Sequence, residues 1–320
     1  MIQEITIDNL DPEAFIADQV AAIGETVGDG VAINALSGGV DSSVVTLLGH
    51  RALGDRLKTY FIENGLMRAG EPEQVVELFN DMGVPVELID ARDEFFAALA
   101  GITDPEEKRE AITQTFYKDV FGRLVRESGA RYLLQGTILT DIDETVAGIK
   151  RQHNVFEQLG IDPEEAFGYG IVEPLVQIRK DGVRRVAEAL GFPASVYNRM
   201  PFPGPALAAR VIGPVTPEKI ALVRGATGIV EEELADVEAF LKLAILHEDR
   251  VTGMRSGERD FGLQIEVRCW DSVDARTGEP TEIGWPILRR LSDRILAEVP
   301  GVVSVTYSLA TKPPSTMEAI

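Results

Sequence analysis

One junction narrows what this chain can fold into more than any other feature. The uncharged run Val31–Leu36, bounded by Gly30, leads directly into Ser37-Gly38-Gly39-Val40-Asp41-Ser42-Ser43, after which Val44, Val45, Leu47 and Leu48 take up helical spacing. A short run without alternation reads as a strand buried on both faces of a parallel sheet. Two adjacent glycines let the backbone approach a ligand closely. The Ser37, Ser42 and Ser43 hydroxyls add donors, and a helix N-terminus adds free N–H groups and a partial positive charge. Together these read as a cradle for phosphate groups. It is not a Walker A loop, because the Gly-x4-Gly-Lys-Ser/Thr spacing and its lysine are absent.

The same grammar continues downstream. Strands are expected at Leu57–Ile62, Val84–Ile89 and Arg131–Leu134, and helices at Glu71–Met82 and Asp104–Ser128. The latter opens with Asp104 as N-cap, Pro105 at the first helical position and acids in the first turn. This β-α-β-α succession predicts an α/β fold with a doubly wound parallel sheet and ligands at the carboxyl ends of its strands. Met200-Pro201-Phe202-Pro203-Gly204-Pro205 then interrupts it, since prolines at this density continue neither a helix nor a central strand. Beyond lie expected helices at Pro217–Arg224, Glu231–His247 and Pro286–Glu298, and strands at Leu263–Trp270 and Val302–Leu309. These predict a smaller α+β domain, with domains 1–198 and 199–320.

Charge excludes some partners. A net charge of −21 argues against a broad nucleic-acid-binding face, because phosphate backbones demand clustered Lys and Arg. With 8 lysines and 23 arginines against 52 acids, the composition suits a salt-rich (halophilic) cytoplasm, where self-repulsion is screened. No apolar run is long enough for a membrane span, and Met1–Asp11 lacks the layout of a signal peptide. The lone Cys269 excludes an intramolecular disulfide and a cysteine-built metal site.

The loop resembles the pyrophosphate loop of the N-type ATP pyrophosphatases, and several further segments resemble the GMP synthase family in the right order. They are Ile62-Glu63-Asn64-Gly65-Leu66-Met67-Arg68, Leu99-Ala100-Gly101 with Asp104-Pro105-Glu106-Glu107-Lys108-Arg109, Leu134-Gln135-Gly136-Thr137-Ile138, Pro201–Pro205, and Lys312-Pro313-Pro314-Ser315-Thr316-Met317-Glu318. The similarity spans about Val31 to Glu318. It implies an adenine nucleotide α-hydrolase-like fold followed by a C-terminal dimerisation domain.

The resemblance also implies chemistry: ATP split between its α- and β-phosphates with Mg2+, adenylation of a purine nucleotide (xanthosine monophosphate), and amidation by ammonia from a separate glutamine amidotransferase subunit. By the same resemblance, Ser37–Ser43 and Gln135, Gly136 and Thr137 bind ATP. Asp41, Asp141 and Asp181 are candidate metal ligands, with Glu144 beside Asp141. Asp41, Lys150, His153 and Lys180 are the candidate catalytic residues, the middle two on a lid. Arg109, Arg259, Lys312, Met317 and Glu318 would meet the nucleotide.

Departures fall on the acceptor side. The lid reads Ile149-Lys150-Arg151-Gln152-His153-Asn154-Val155-Phe156-Glu157, without one histidine and both glycines of the family pattern. Ala206 replaces a glycine in Pro203-Gly204-Pro205-Ala206-Leu207, and Ser256-Gly257-Glu258-Arg259 lacks the aspartate of Gly-Asp-Gly-Arg. Two other readings stay open at this point: a paralogue that adenylates another acceptor, and a nucleotide-sensing module without catalysis.

Overall fold

The computed structural model describes residues 2–146, 169–255, 257–273 and 275–319, and they fall into two compact units. The first takes Met1–Ile62, Pro72–Asp90 and Phe116–Arg199; the second takes Glu63–Glu71, Ala91–Thr115 and Met200–Ile320.

The first unit is built on a five-stranded sheet in the order β3-β2-β1-β4-β5. Its strands are β1 (Ala32–Leu36), β2 (Leu57–Glu63), β3 (Val86–Asp90), β4 (Tyr132–Leu134) and β5 (Gly170–Val172). The pairs β1–β2, β1–β4 and β4–β5 are parallel, with Leu36 opposite Phe61, Ile33 opposite Leu133 and Leu134 opposite Val172. The doubly wound sheet is therefore present, and its order reverses between β1 and β4, the point where such sheets open a crevice for ligands. Helices Pro12–Val27, Val40–Leu53 and Lys180–Ala189 pack on one another. Ile33 and Val44 are wholly buried, so the strand and the helix flanking the Gly38-Gly39 turn are rooted in the core.

The second unit carries a mixed sheet centred on one long strand, β8 (Glu258–Asp271). Along it lie β6 (Leu241–Leu246) and β7 (Val251–Arg255), both antiparallel, β10 (Val302–Tyr307), parallel, and the short β9 (Glu279–Pro280). Helices Pro217–Glu233 and Trp285–Glu298 complete it, alongside Pro105–Gln114. Asp104 caps that last helix as expected, accepting from the N–H groups of Glu106 (2.9 Å) and Glu107 (3.1 Å).

Two expectations need correction. The stretch Glu231–His247 is not a helix: the helix from Pro217 ends at Glu233, and Leu241–Leu246 is strand β6, buried at all six positions. Six buried residues in a row show no period of two, so the strand signal is lost and the helix-forming Leu, Lys and Ala mislead. Lys242 lies within it only because its ammonium donates to the Leu234 carbonyl at 2.6 Å. The helix expected over Asp104–Ser128 is interrupted by a π-helical segment at Thr115–Phe121 between Pro105–Gln114 and Gly122–Ser128. Segments of this kind widen the turn by one residue per repeat and leave no mark in the apolar pattern.

Candidate active site

In the first unit, the Ser37–Ser43 segment leaves the carboxyl end of β1 and becomes helix Val40–Leu53. Gly38 takes φ +74°, a left-handed conformation that only a residue without Cβ adopts at no cost. Gly39 is the N-cap and makes no side-chain capping bond, so this helix start is held by the loop's own hydroxyls. Ser37 Oγ and Ser42 Oγ lie 3.0 Å apart, and Ser42 Oγ donates to the Gly39 carbonyl at 2.9 Å.

Behind the loop a buried polar chain fixes its height. Thr59 Oγ1 on β2 donates to Asn34 Oδ1 (2.8 Å), Asn34 Nδ2 on β1 donates to Thr46 Oγ1 (2.6 Å), and Thr46 Oγ1 donates to the Ser42 carbonyl (2.8 Å). Asn34, Thr46 and Thr59 are each at most 4% exposed, so breaking one bond would leave a buried polar atom unpaired, at about 1–3 kcal/mol.

Two sequence-predicted residues, Lys180 and Gly136, meet Asp41. Lys180, first residue of helix Lys180–Ala189, places its Nζ 2.6 Å from Asp41 Oδ2. The other oxygen, Asp41 Oδ1, is buried and without a hydrogen-bond partner among the described residues. Gly136, just past β4, lies so close that a Cβ there would meet the Asp41 carbonyl carbon, Asp41 Cβ and Ser42 N at 3.2 Å. Its neighbour Gln135 carries a second buried, unpartnered oxygen, Oε1, and Thr137 donates to Glu173 Oε1 at 2.5 Å. The loop after β1 and the segment after β4 thus flank the switch point of the sheet.

The other two candidate carboxylates each accept from a backbone N–H. Asp141 Oδ2 accepts from the Ile138 N–H at 3.0 Å, and Asp181 Oδ1 from the Gly182 N–H at 2.9 Å. Among the described residues no cluster of three or more His, Cys, Asp or Glu is arranged to hold a metal ion. Lys150, His153 and Ser256, and the side chain of Glu144, lie outside the described residues.

In the second unit the tail residues are held firmly. Lys312 pairs with Gly278 through both backbone groups, and its Nζ donates to the Ala275 carbonyl at 2.7 Å. Glu318 is gripped by both nitrogens of Arg210, Nε at 3.1 Å and Nη2 at 3.0 Å. Met317 is buried and packs with Leu241, Leu243, Ile245 and Trp270, so its side chain serves the core. Arg109, on helix Pro105–Gln114, is about half exposed (46%) with Glu106 at 3.6 Å, and Arg259 is an exposed residue near the start of β8.

Several residues at these sites carried no sequence signal. Arg199 donates to the Gly38 carbonyl at 3.1 Å across 161 positions, and Asn34, Arg210 and Arg268 also act through distant partners. Cys269 is buried in β8, and burial pushes its thiol pKa up. No helix among the described residues is long and apolar enough to cross a membrane.

Residues 230–319 match the family model described as the GMP synthase C terminal domain. Relatives of similar length cover nearly the whole chain. The B subunit of the glutamine-hydrolyzing GMP synthase of Archaeoglobus fulgidus is 48% identical over 309 residues, covering 97% of this chain and 99% of its own. The proteins of that name from Pyrococcus furiosus (47%; 96% and 97%) and Methanopyrus kandleri (43%; 96% and 99%) are similarly close. The chain belongs to the family of GMP synthase B subunits. The loop at β1 therefore sits in a chain whose likeness to this family extends from end to end, and the altered Ala206 and Gly257 positions are variations within it.

Proposed function

We propose that this chain is the ATP-pyrophosphatase subunit of a two-subunit GMP synthase, a ligase that converts xanthosine monophosphate to GMP. The C2 oxygen of the xanthine base attacks the α-phosphorus of ATP and the bond to the β-phosphate oxygen breaks. Pyrophosphate departs, and ammonia then displaces AMP from C2. The observation that carries the ATP half is the state of Asp41 at the start of a helix behind two glycines, one oxygen held by Lys180 and the other buried and unpartnered. GMP synthase relatives covering nearly the whole chain favour this acceptor over a paralogue's and over a sensing module.

The protein's part is positioning and charge neutralisation. Ser37–Ser43 with Gln135, Gly136 and Thr137 would seat the triphosphate, and Lys180 holds Asp41 in place. Mg2+ fits here: Asp41 Oδ1 has the character of a metal ligand, and with no three-carboxylate cluster among the described residues the remaining ligands would be phosphate oxygens and water, the usual arrangement for this ion. Bound there, it would neutralise charge developing on the leaving pyrophosphate. Asp141 and Asp181 stand as further candidate ligands, and Lys150 and His153 as lid contacts. Arg109, Arg259, Lys312 and Glu318 are assigned to the nucleotide.

Ammonia comes from a separate glutaminase subunit. The single thiol, buried and harder to ionise than a free cysteine, is unsuited to serve as a glutaminase nucleophile. We assign the ATP chemistry to a domain of residues 1–198 and homodimerisation to residues 199–320, which with Arg109 would bind the acceptor, in a cytoplasm adapted to salt. The test is AMP and GMP formation from xanthosine monophosphate, ATP, magnesium and ammonium, at low and molar salt, with glutamine inert unless the partner is added. AMP formed with another nucleotide and none with this one would overturn the acceptor assignment.

A further inference from the structure

We propose that Arg268 is a positioning residue for acceptor binding: with Arg210 it clamps residues 316–318 into the shape that receives the nucleotide, without touching the nucleotide itself. This rests on the reading that Lys312 and Glu318 meet the acceptor.

Arg268 stands in the second half of β8, and its Nη1 lies 2.7 Å from the Thr316 carbonyl oxygen, 3.2 Å from that of Glu318 and 3.3 Å from that of Met317. In an extended chain successive carbonyls point to opposite sides. Three in a row on one nitrogen require the tail to curl, and a cation favours the convergence of their partial negative charges. The Thr316 hydroxyl, donating to the Glu318 carbonyl at 2.7 Å, tightens the same curl.

The cation is itself immobilised. Arg268 Nε donates to Glu266 Oε1 at 2.7 Å, and the second oxygen of Glu266 is 2.8 Å from His247 Nε2. Arg268 and Glu266 side chains are only 13% and 14% exposed. Arg210, fully buried and stacked against the Phe202 ring, fixes the Glu318 carboxylate from the other side. Met317 pegs the curl into the core between them. Backbone, carboxylate and anchor are thus each held by a different residue, and Arg268 gathers the three consecutive carbonyls of the curl.

The experiment compares Arg268→Gln, Arg268→Lys and Glu266→Gln with the parent enzyme in ammonia-driven turnover, together with hydrogen exchange at residues 311–319. Loss of a charged hydrogen-bonding group predicts a rise in the KM for xanthosine monophosphate of about ten- to a hundredfold for Arg268→Gln, with the KM for ATP within about twofold. Exchange should quicken in the tail while β6 and β8 stay protected. Arg268→Lys should recover part of the loss, because an ammonium can meet the tail carbonyls but cannot at the same time bridge them to Glu266 as Nη1 and Nε do. Glu266→Gln keeps the guanidinium and loosens its brace, so a smaller rise in the same KM tests the idea even if Arg268→Gln does not fold. An unchanged nucleotide KM with an unchanged tail would overturn the proposal, as would equal loss of protection throughout β6 and β8. Lys312→Ala and Glu318→Ala run beside these: if neither alters the nucleotide KM, the acceptor reading fails, while tail exchange in Arg268→Gln still decides the clamp.

Discussion

Replacing Lys180 with methionine separates the work of this lysine in folding from its work in turnover. Its ammonium is 2.6 Å from Asp41 Oδ2, and the two side chains are 47% and 26% exposed. A pair this open to solvent contributes about 0–1 kcal/mol to stability, so the thermal midpoint should move by no more than about 4 °C. Turnover is another matter. A lost contact where charge develops on a leaving group costs about 3 kcal/mol, roughly a hundredfold in rate. Lys180→Met should therefore lose about two orders of magnitude in substrate-dependent pyrophosphate release while melting almost as the parent does. Pyrophosphate release and differential scanning fluorimetry on the same preparation measure both. Turnover within about threefold of the parent would refute the assignment of Lys180 to catalysis through Asp41. A collapse in midpoint matching the loss of activity would show that the pair is structural.

Gly136→Ala should raise the KM for ATP, because its Cβ would press on the Asp41 and Ser42 backbone at 3.2 Å and shift the helix start by a few tenths of an ångström; an unchanged KM would refute this. Ala206 is buried at φ +53°, where a side chain is strained by about 1 kcal/mol or more, so Ala206→Gly should raise the melting midpoint by about 2 °C, and a lowered midpoint would count against it. His247 and then Arg268 hold the Glu266 carboxyl down to about 2 from its ordinary 4.5. A depressed acid stabilises the fold above its unfolded pKa and loses that contribution as pH falls through its folded one. The second unit should therefore weaken between about pH 4.5 and pH 2, by about 1–2 kcal/mol once solvent screening is allowed for, and Glu266→Gln should flatten that limb of a stability-against-pH curve.

The strands that could be read from sequence were those announced by their edges. Val31–Leu36 stood out because glycine precedes it and a Ser-Gly-Gly turn follows, and Asp104 announced its helix through Pro105 and the acids behind it. β6 did not, because strand propensity is decided by what covers the strand, and here every residue is covered. The loop Ser37–Ser43 between β1 and its helix was legible for a related reason: its pattern is local, seven residues in a row. Lys180 and Gly136 were legible only through likeness to a family, since 139 and 95 positions separate them from Asp41. Arg210 and Arg268 were silent because an arginine's partner is set by tertiary packing, and nothing in the residues around it names a carboxylate 108 positions away.

The second unit does not coincide with one stretch of chain, and this bears on how such a protein can change over generations. Glu63–Glu71 and Ala91–Thr115 belong to it, and they are stitched in by polar contacts, the first buried and the others partly so: Lys108 Nζ donates to the Val211 carbonyl at 2.9 Å, Arg224 to the Gly65 and Met67 carbonyls, and Arg68 pairs with Glu231 at 2.7 Å. A recombination event with a single breakpoint near Arg199 would carry away β6–β10 and leave behind the helix bearing Arg109, together with the partners of Val211, Arg224 and Glu231. Lineages can thus exchange the two units only at several breakpoints at once, and new properties of the second unit have to arise by substitution in place rather than by borrowing a ready-made domain.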